Sequence, residues 1–156
     1  MSVLLDTNIV SELRKGPDRI DPNVAAWAET QRLADHWLSV ITIMELAIGV
    51  ARIARRDPVQ GDRLRAWLDT SVISTFRTHI LPIDLPVALI AAGLHTPNPG
   101  PERDTLIAAT AIHHHLTIAT RNTKDFDRHA LSTINPWDTP REEPPSPRES
   151  TGMQPH

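Results

Sequence analysis

The chain contains no cysteine and no tyrosine, and aromatic residues make up only 4% of its 156 residues. Without cysteine, it can form no disulfide, no thiolate nucleophile and no cysteine-type zinc site. No apolar run approaches the ~18 residues that are needed to span a bilayer. Because Asp6 interrupts the N-terminal segment before a long apolar region develops, we expect no signal peptide. These absences together predict a cytoplasmic location.

Charge is also modest, with a net value of −3 at pH 7. This value argues against a protein that coats nucleic acid through bulk charge, but it permits a local basic groove. A chain of this length ordinarily forms one domain. We expect the domain to cover residues 1–138, because residues 139–156 turn to Pro, Glu, Ser and Arg and predict a disordered tail.

Short apolar segments without polar alternation are typical of buried parallel strands, and segments of helical period lie between them. The predicted strands are residues 3–6, 38–41, 80–83 and 116–120, with 132–135 as an edge strand. The predicted helices are residues 7–14, 22–32, 42–56, 58–73, 86–94 and 102–115. This alternation predicts an α/β fold, a three-layer α/β/α sandwich with a central, mostly parallel sheet of four to five short strands.

Four acidic residues stand at the edges of these apolar segments: Asp6, Glu45, Asp104 and Asp125. In an open parallel sheet, ligands bind at the carboxyl ends of the strands, and the N-termini of helices point toward the same edge. Asp6 ends the first strand, while Glu45 and Asp104 are expected in the first turns of helices. Buried carboxylates need partners, and hard oxygen ligands suit Mg²⁺ or Mn²⁺. If the four acids meet at this edge, they predict a divalent-cation site.

Each acid also has a purely structural interpretation. Asp6 can cap the first helix, and Glu45 can complete a capping box with Thr42. Asp104 can favour the dipole of its helix, and Asp125 can form an Asx turn. When each acid is considered alone, the structural interpretation is favoured over a metal site for every acid except Asp6. The shared site is favoured because all four acids fall on the same predicted sheet edge.

Four sequence motifs resemble those of PIN-domain nucleases, specifically the VapC and FitB toxins of bacterial toxin–antitoxin pairs. In family order they are residues 4–13 (LLDTNIVSEL), 39–49 (SVITIMELAIG), 103–111 (RDTLIAATA) and 120–126 (TRNTKDF), followed by a FitB-like ending at 134–137 (INPW). One such motif is a weak signal, whereas four in order are specific. The resemblance implies a PIN-like fold over about residues 2 to 137.

The resemblance further implies a toxin that is a metal-dependent endoribonuclease, with tRNA or rRNA as the expected substrate. Its catalytic and metal-binding acids would be Asp6, Glu45 and Asp104. Family members differ in which position carries the fourth acid. We assign it to Asp125, with Asn122 holding a ligand or a water through its amide. One or two Mg²⁺ or Mn²⁺ ions would activate a water for attack on an RNA phosphate.

Supporting and substrate-binding residues follow from the same motifs. Thr7 and Asn8 are expected to orient Asp6. Arg121 and Lys124 flank the fourth motif and are expected to bind phosphate. Because aromatic content is low, we expect the tryptophans to lie in the core or at an interface and not to stack bases. They are Trp27, Trp37, Trp67 and Trp137.

As partners, the resemblance implies a cognate antitoxin that places a basic or bulky side chain in the acidic pocket, where it would act as counter-charge. It also implies a homodimer, and a higher hetero-oligomer in which the antitoxin alone contacts DNA. No membrane contact is expected.

Three alternatives to a nuclease are a receiver domain, a phosphatase and a homologue with little catalytic activity. A receiver domain would need two adjacent acids after the first strand, and a haloacid-dehalogenase-like phosphatase would need a second Asp where Asn8 stands. A catalytically weak homologue would act only with its antitoxin in a DNA-bound regulatory complex. Retention of the four acidic positions argues against this last alternative.

Overall fold

Five short parallel strands form one sheet in the computed structural model, which describes residues 1–129 and 131–138. The predicted tail at 139–156 lies outside the described residues. The strands are β1 (Val3–Leu5), β2 (His36–Ser39), β3 (Ile80–Leu81), β4 (Thr117–Ala119) and β5 (Thr133–Ile134). Their order is β3-β2-β1-β4-β5, and every neighbouring pair is parallel. The chain therefore changes direction across the sheet between β1 and β4, where a ligand site is expected in this architecture.

Within the described residues, six α-helices connect and cover the strands. They are α1 (Thr7–Leu13), α2 (Pro22–Glu29), α3 (Val40–Arg56), α4 (Pro58–Trp67), α5 (Leu85–Leu94) and α6 (Glu102–His114). Asp21 and Asp57 cap α2 and α4, each followed by a proline at the first helical position. The predicted helix at 58–73 is α4 continued by a π-helical turn, Leu68–Ile73. Across the described ranges, no helix is both long and apolar enough to cross a membrane.

Alternate residues of β1 belong to two separate hydrophobic clusters, one on each face of the sheet. Val3 and Leu5 join the cluster that is closed by α1, α3 and α4. Leu4, between them, joins the cluster that α6 closes with Ile107 on the other face. Because side chains alternate along a strand, one apolar strand can supply both layers. The predicted three-layer α/β/α sandwich is confirmed.

The boundary between β2 and α3 differs from the prediction. The strand ends at Ser39, whose side chain accepts the Ile41 N–H at 3.0 Å and so caps the helix. The predicted capping box of Thr42 and Glu45 is therefore wrong. Thr42 is buried inside α3 with its hydroxyl unpaired among the described residues, and Glu45 lies in the second helical turn, not the first.

Candidate active site

An open cleft lies at the carboxyl ends of β1 and β4. Three of the four predicted acids border it, namely Asp6, Glu45 and Asp104. Asp6 directly follows β1, Glu45 comes from α3, and Asp104 comes from the first turn of α6. The cleft has a volume of about 490 Å³. The remaining lining residues are Thr7, Asn8, Ser11, Glu12, Arg14, Lys15, Arg121, Asn122 and Trp137.

Asp6 is buried and held by three donors. Its Oδ1 accepts the Thr7 N–H at 2.8 Å, and its Oδ2 accepts the Thr120 hydroxyl at 2.7 Å. A longer bond from the Asn8 amide to Oδ2 measures 3.4 Å. Burial nevertheless raises the pKa of Asp6, and the charge of Asp125 raises it further, because the hydrogen bonds only partly offset these effects.

Glu45 is connected to Asp6 through a single residue, Thr7. The Thr7 hydroxyl donates to Glu45 Oε1 at 2.8 Å, while the Thr7 N–H binds Asp6. The only ion-pair partner of the carboxylate within the described ranges is Arg103, at 3.9 Å from Oε2. At this distance, and with a half-exposed guanidinium, the pair gives little compensation for the charge of Glu45.

Asp104 carries the most perturbed carboxylate in the cleft. Its pKa rises to about 6, first because the side chain is partly buried and then because Asp6, Asp125 and Glu45 repel its negative charge. Within residues 1–129 and 131–138, its side chain has no hydrogen bond or ion pair that would offset this. The charges of the other three predicted acids therefore all reach Asp104.

Asp125 and Asn122 occupy different positions relative to the cleft. Asn122 lines it, and its N–H donates to the Thr120 hydroxyl at 3.0 Å. Asp125 is exposed in the short 3₁₀ turn Thr123–Asp125 and is absent from the cleft lining, although its charge reaches Asp6 and Asp104. Asp125 thus lies farther out than the other three acids.

Thr120 is a central residue that the sequence patterns did not single out. It is fully buried at the end of β4, donates to Asp6, and accepts from Asn8 at 3.3 Å and from Asn122 at 3.0 Å. A hydroxyl placed at the end of a buried strand was the available signal, since it must find partners. Thr120 joins the first and fourth motifs across the β1–β4 pair.

A second unanticipated residue is Glu12, on the inner side of α1. It is buried, accepts the Asp21 N–H at 2.8 Å and pairs with Lys15 at 2.7 Å. These contacts lower the pKa of Glu12, chiefly through Lys15. The spacing of Glu12 and Lys15 on one helix was the signal for this pair. Glu12 is therefore a neutralised acid beside a group of uncompensated ones.

The two side chains that were predicted to bind phosphate lie in different places relative to the cleft. Arg121 lines the cleft, and its guanidinium lies 5.3 Å from the ring centroid of Trp137. Lys124 is exposed and does not line it. The tryptophans pack against the core as expected, three against the first cluster and Trp37 against the second. Trp137 is the one among them that also borders the cleft.

The donor chemistry of the cleft fits a hard divalent cation, because its exposed ligand atoms are carboxylate and amide oxygens. In the described part of the chain, however, no group of three His, Cys, Asp or Glu side chains stands in position to hold one ion. Glu45 is directed by Thr7 and Arg103, and the free carboxylates repel one another. The acids would have to rotate toward one another to share an ion.

Comparison with known proteins agrees with this fold. The PIN domain family model matches residues 3–131. The chain is 40% identical to toxin FitB of Neisseria gonorrhoeae over 142 residues, covering 86% of this chain and 98% of that protein. It is 35% identical to a VapC ribonuclease of Sinorhizobium fredii over 144 residues, covering 87% and 98%. A solved structure of FitAB bound to a DNA fragment matches with a TM-score of 0.79 and 33% identity, covering 90% of this chain and 99% of that one. The chain belongs to the PIN domain family.

Proposed function

We propose that this protein is the toxin of a toxin–antitoxin pair and acts as a metal-dependent endoribonuclease. Its relatives support both parts, since one is named a toxin and another a VapC ribonuclease. The structural observation that carries the proposal is that Asp6, Glu45 and Asp104, from three separate elements, line one cleft at the carboxyl ends of β1 and β4. Burial and the neighbouring acids both raise the pKa of Asp104, as is expected where carboxylates await a shared cation.

Asp6, Glu45 and Asp104 are the residues that would hold the metal, with Asp125 as the outer, fourth acid and Asn122 contributing its amide oxygen. PIN-domain ribonucleases depend in general on a divalent metal ion, and the oxygen donors here favour Mg²⁺ or Mn²⁺. When bound, such an ion supplies a water of lowered pKa and neutralises charge on the phosphate oxygens.

The surrounding residues orient these acids and bind the substrate. Thr120 and Asn8 fix the Oδ2 of Asp6, and Thr7 fixes Glu45. Arg121 brings a positive charge to the same cleft, where it is available to an RNA phosphate. The substrate classes proposed are tRNA and rRNA, which carry the phosphodiester that this chemistry hydrolyses.

An antitoxin is the proposed inhibitor. Its basic side chain would enter the cleft and take the place of the cation as counter-charge to Asp6 and Asp104. The proposed oligomer is a homodimer that assembles further with the antitoxin. Large apolar side chains are exposed on α3 and α5, and they are candidates for a protein interface. They are Val40, Met44, Leu85 and Leu89.

Incubation of the purified full chain with total tRNA and with rRNA tests the proposal. We expect cleavage with Mn²⁺ or Mg²⁺ and none in chelator. Asp104→Asn should remove cleavage while the protein stays folded, and Asp62→Asn, at an exposed position on α4, is the matched control that should retain it. Metal-independent cleavage, or full activity in Asp104→Asn, would refute the proposal.

A second candidate function is a catalytically weak partner of the antitoxin in a DNA-bound regulatory complex. It is favoured by the likeness to FitAB, whose structure is of a complex on DNA. The same incubation separates the two functions, because a purely regulatory protein would leave every RNA intact at all metal concentrations. DNA binding that requires the antitoxin would then remain as its activity.

A further inference from the structure

Arg121 and Trp137 form a cation–aromatic pair on the rim of the acidic cleft. The Arg121 guanidinium lies over the indole at 5.3 Å from its centroid, and both side chains border the cleft that contains Asp6 and Asp104. The indole is partly buried against the first core cluster, whereas Arg121 is exposed. The guanidinium thus lies beside the indole ring on a side chain that is exposed to solvent.

A chain of hydrogen bonds connects this pair to Asp6. The Asn8 amide, which donates to Asp6, accepts the Arg121 N–H at 3.2 Å. The Arg121 carbonyl accepts from the Asn135 amide at 3.4 Å, and Asn135 in turn accepts the Trp137 N–H at 3.0 Å. The backbones of both rim residues are therefore held in a defined position relative to Asp6.

The charge of Arg121 is also less compensated than that of Lys15, which borders the same cleft. Lys15 is paired with Glu12 at 2.7 Å. Arg121, by contrast, has no carboxylate within ion-pair distance among residues 1–129 and 131–138. An exposed guanidinium without an acidic partner is available to a ligand that carries negative charge.

We propose that Arg121, supported by Trp137, is a stacking platform for a nucleobase of single-stranded RNA next to the cleaved phosphate. The base stacks on the outer face of the guanidinium plane, and the N–H edge of the same group binds the adjacent phosphate. Arg121 contacts the substrate, whereas Trp137 is a positioning residue that holds the guanidinium in place. This inference rests on the proposed ribonuclease function and adds a base-stacking contact at the rim of the cleft.

Stacking and charge can be separated by substitution, because lysine keeps the positive charge of arginine but lacks its plane. Binding is measured by fluorescence anisotropy with the full chain carrying Asp104→Asn, in chelator, so that no RNA is cut. The two probes are octaadenylate and an eight-unit ribose-phosphate chain without bases. Arg121→Lys should weaken octaadenylate binding about tenfold and leave the abasic chain within about twofold.

Four further variants, one of them a control, sharpen the test. Arg121→Gln should weaken the binding of both probes and lower the salt slope by about one phosphate contact. Trp137→Leu should act like Arg121→Lys but less strongly, and Trp137→Phe should restore most of the loss. Arg19→Lys, an exposed arginine outside the cleft lining, is the matched control and should change neither probe. Thermal melts confirm that each variant is folded.

The platform is refuted if Arg121→Lys weakens both probes equally, or weakens neither. Its failure is distinct from failure of the ribonuclease function, which is read from cleavage by the unsubstituted chain with Mn²⁺. Cleavage without base-dependent binding removes the platform alone. Base-dependent binding that needs Arg121, without any cleavage, keeps the platform and removes the nuclease.

Discussion

Asp6 and Glu12 have the same exposure, 7%, and border the same cleft, yet their pKa values move in opposite directions. The pKa of Glu12 falls because Lys15 and the Asp21 N–H stabilise its charge. The pKa of Asp6 rises because burial and the nearby Asp125 outweigh its hydrogen bonds. The presence of a cationic partner therefore distinguishes the two acids: Glu12 is paired with Lys15, whereas the buried Asp6 has only neutral hydrogen-bond donors.

The comparison also explains how the structure keeps Asp6 in place without neutralising it. Its partners Thr7, Thr120 and Asn8 are all neutral donors, which fix the carboxylate but leave its charge in the cleft. Glu12, with Lys15, is internally compensated. Repulsion between acids costs stability in the absence of metal, and the same repulsion favours metal binding.

The largest expected effect is on cleavage. Asp6→Asn should lower RNA cleavage by on the order of 100-fold or more, because it removes charge where the transition state is stabilised. Glu12→Gln should lower it far less, since Glu12 balances charge within the fold. The measurement is the rate at which each variant cleaves the same RNA in the presence of Mn²⁺. Equal losses in the two variants would remove the distinction between these acids.

Thr120→Val should have the next largest effect. The substitution keeps the shape of the side chain but removes the 2.7 Å bond to Asp6 and the acceptor for the Asn122 N–H. We expect a roughly 10- to 100-fold loss of cleavage, as for other residues that orient metal ligands. With this bond lost, the pKa of Asp6 should rise further, so the acid limb of the pH–rate profile should move to higher pH. Thr120→Ser should restore both. An unchanged profile in Thr120→Val would contradict the assigned role.

Glu12→Gln should reduce stability more than activity. The substitution leaves Lys15 without its partner and weakens the bond to the Asp21 N–H, so we expect a loss of about 1–2 kcal/mol in the free energy of unfolding. Urea denaturation at pH 7 measures it. A stabilised Glu12→Gln variant would show that this acid also carries uncompensated charge.

Asp104→Asn should have a smaller effect of opposite sign on the metal-free protein. Because folding raises the pKa of Asp104 from 3.8 to about 6, its ionisation destabilises the fold as pH rises through this window. After discounting for solvent screening, the variant should gain about 1 kcal/mol at pH 7.5. The gain should shrink to a small fraction near pH 4, where Asp104 is protonated in the folded state and partly protonated in the unfolded state. Thermal melts of the variant and the unsubstituted chain in chelator, at each of these two pH values, measure the gain in stability. A gain that is independent of pH would contradict the electrostatic cause.

Local sequence signals predict most of the fold because they act over a few residues. The Asp–Pro pairs at 21–22 and 57–58 mark helix starts, and apolar segments mark the strands. The predicted junction of β2 and α3 lies two residues too late, because Val40 and Ile41 are β-branched and favour a strand by propensity. The helix forms instead because its first residues pack against both core clusters.

The candidate site is only partly predictable for a related reason. Asp6, Glu45 and Asp104 were identified because each stands at a predicted edge of an apolar segment, and the structure places all three at the cleft. The role of Thr120 depends on a contact between residues 114 positions apart. No local pattern reports such a contact. Likewise, the outer position of Asp125 depends on how the turn after β4 is placed.

The most direct measurement is a Mn²⁺ titration of chelator-treated protein, followed by thermal melting and by isothermal calorimetry. If the acids converge on a shared cation, Mn²⁺ should raise the melting temperature of the unsubstituted chain and of Glu12→Gln. It should fail to do so in Asp6→Asn and Asp104→Asn. Equal Mn²⁺ binding in all four proteins would contradict the shared site, and the ribonuclease assignment would lose its structural basis.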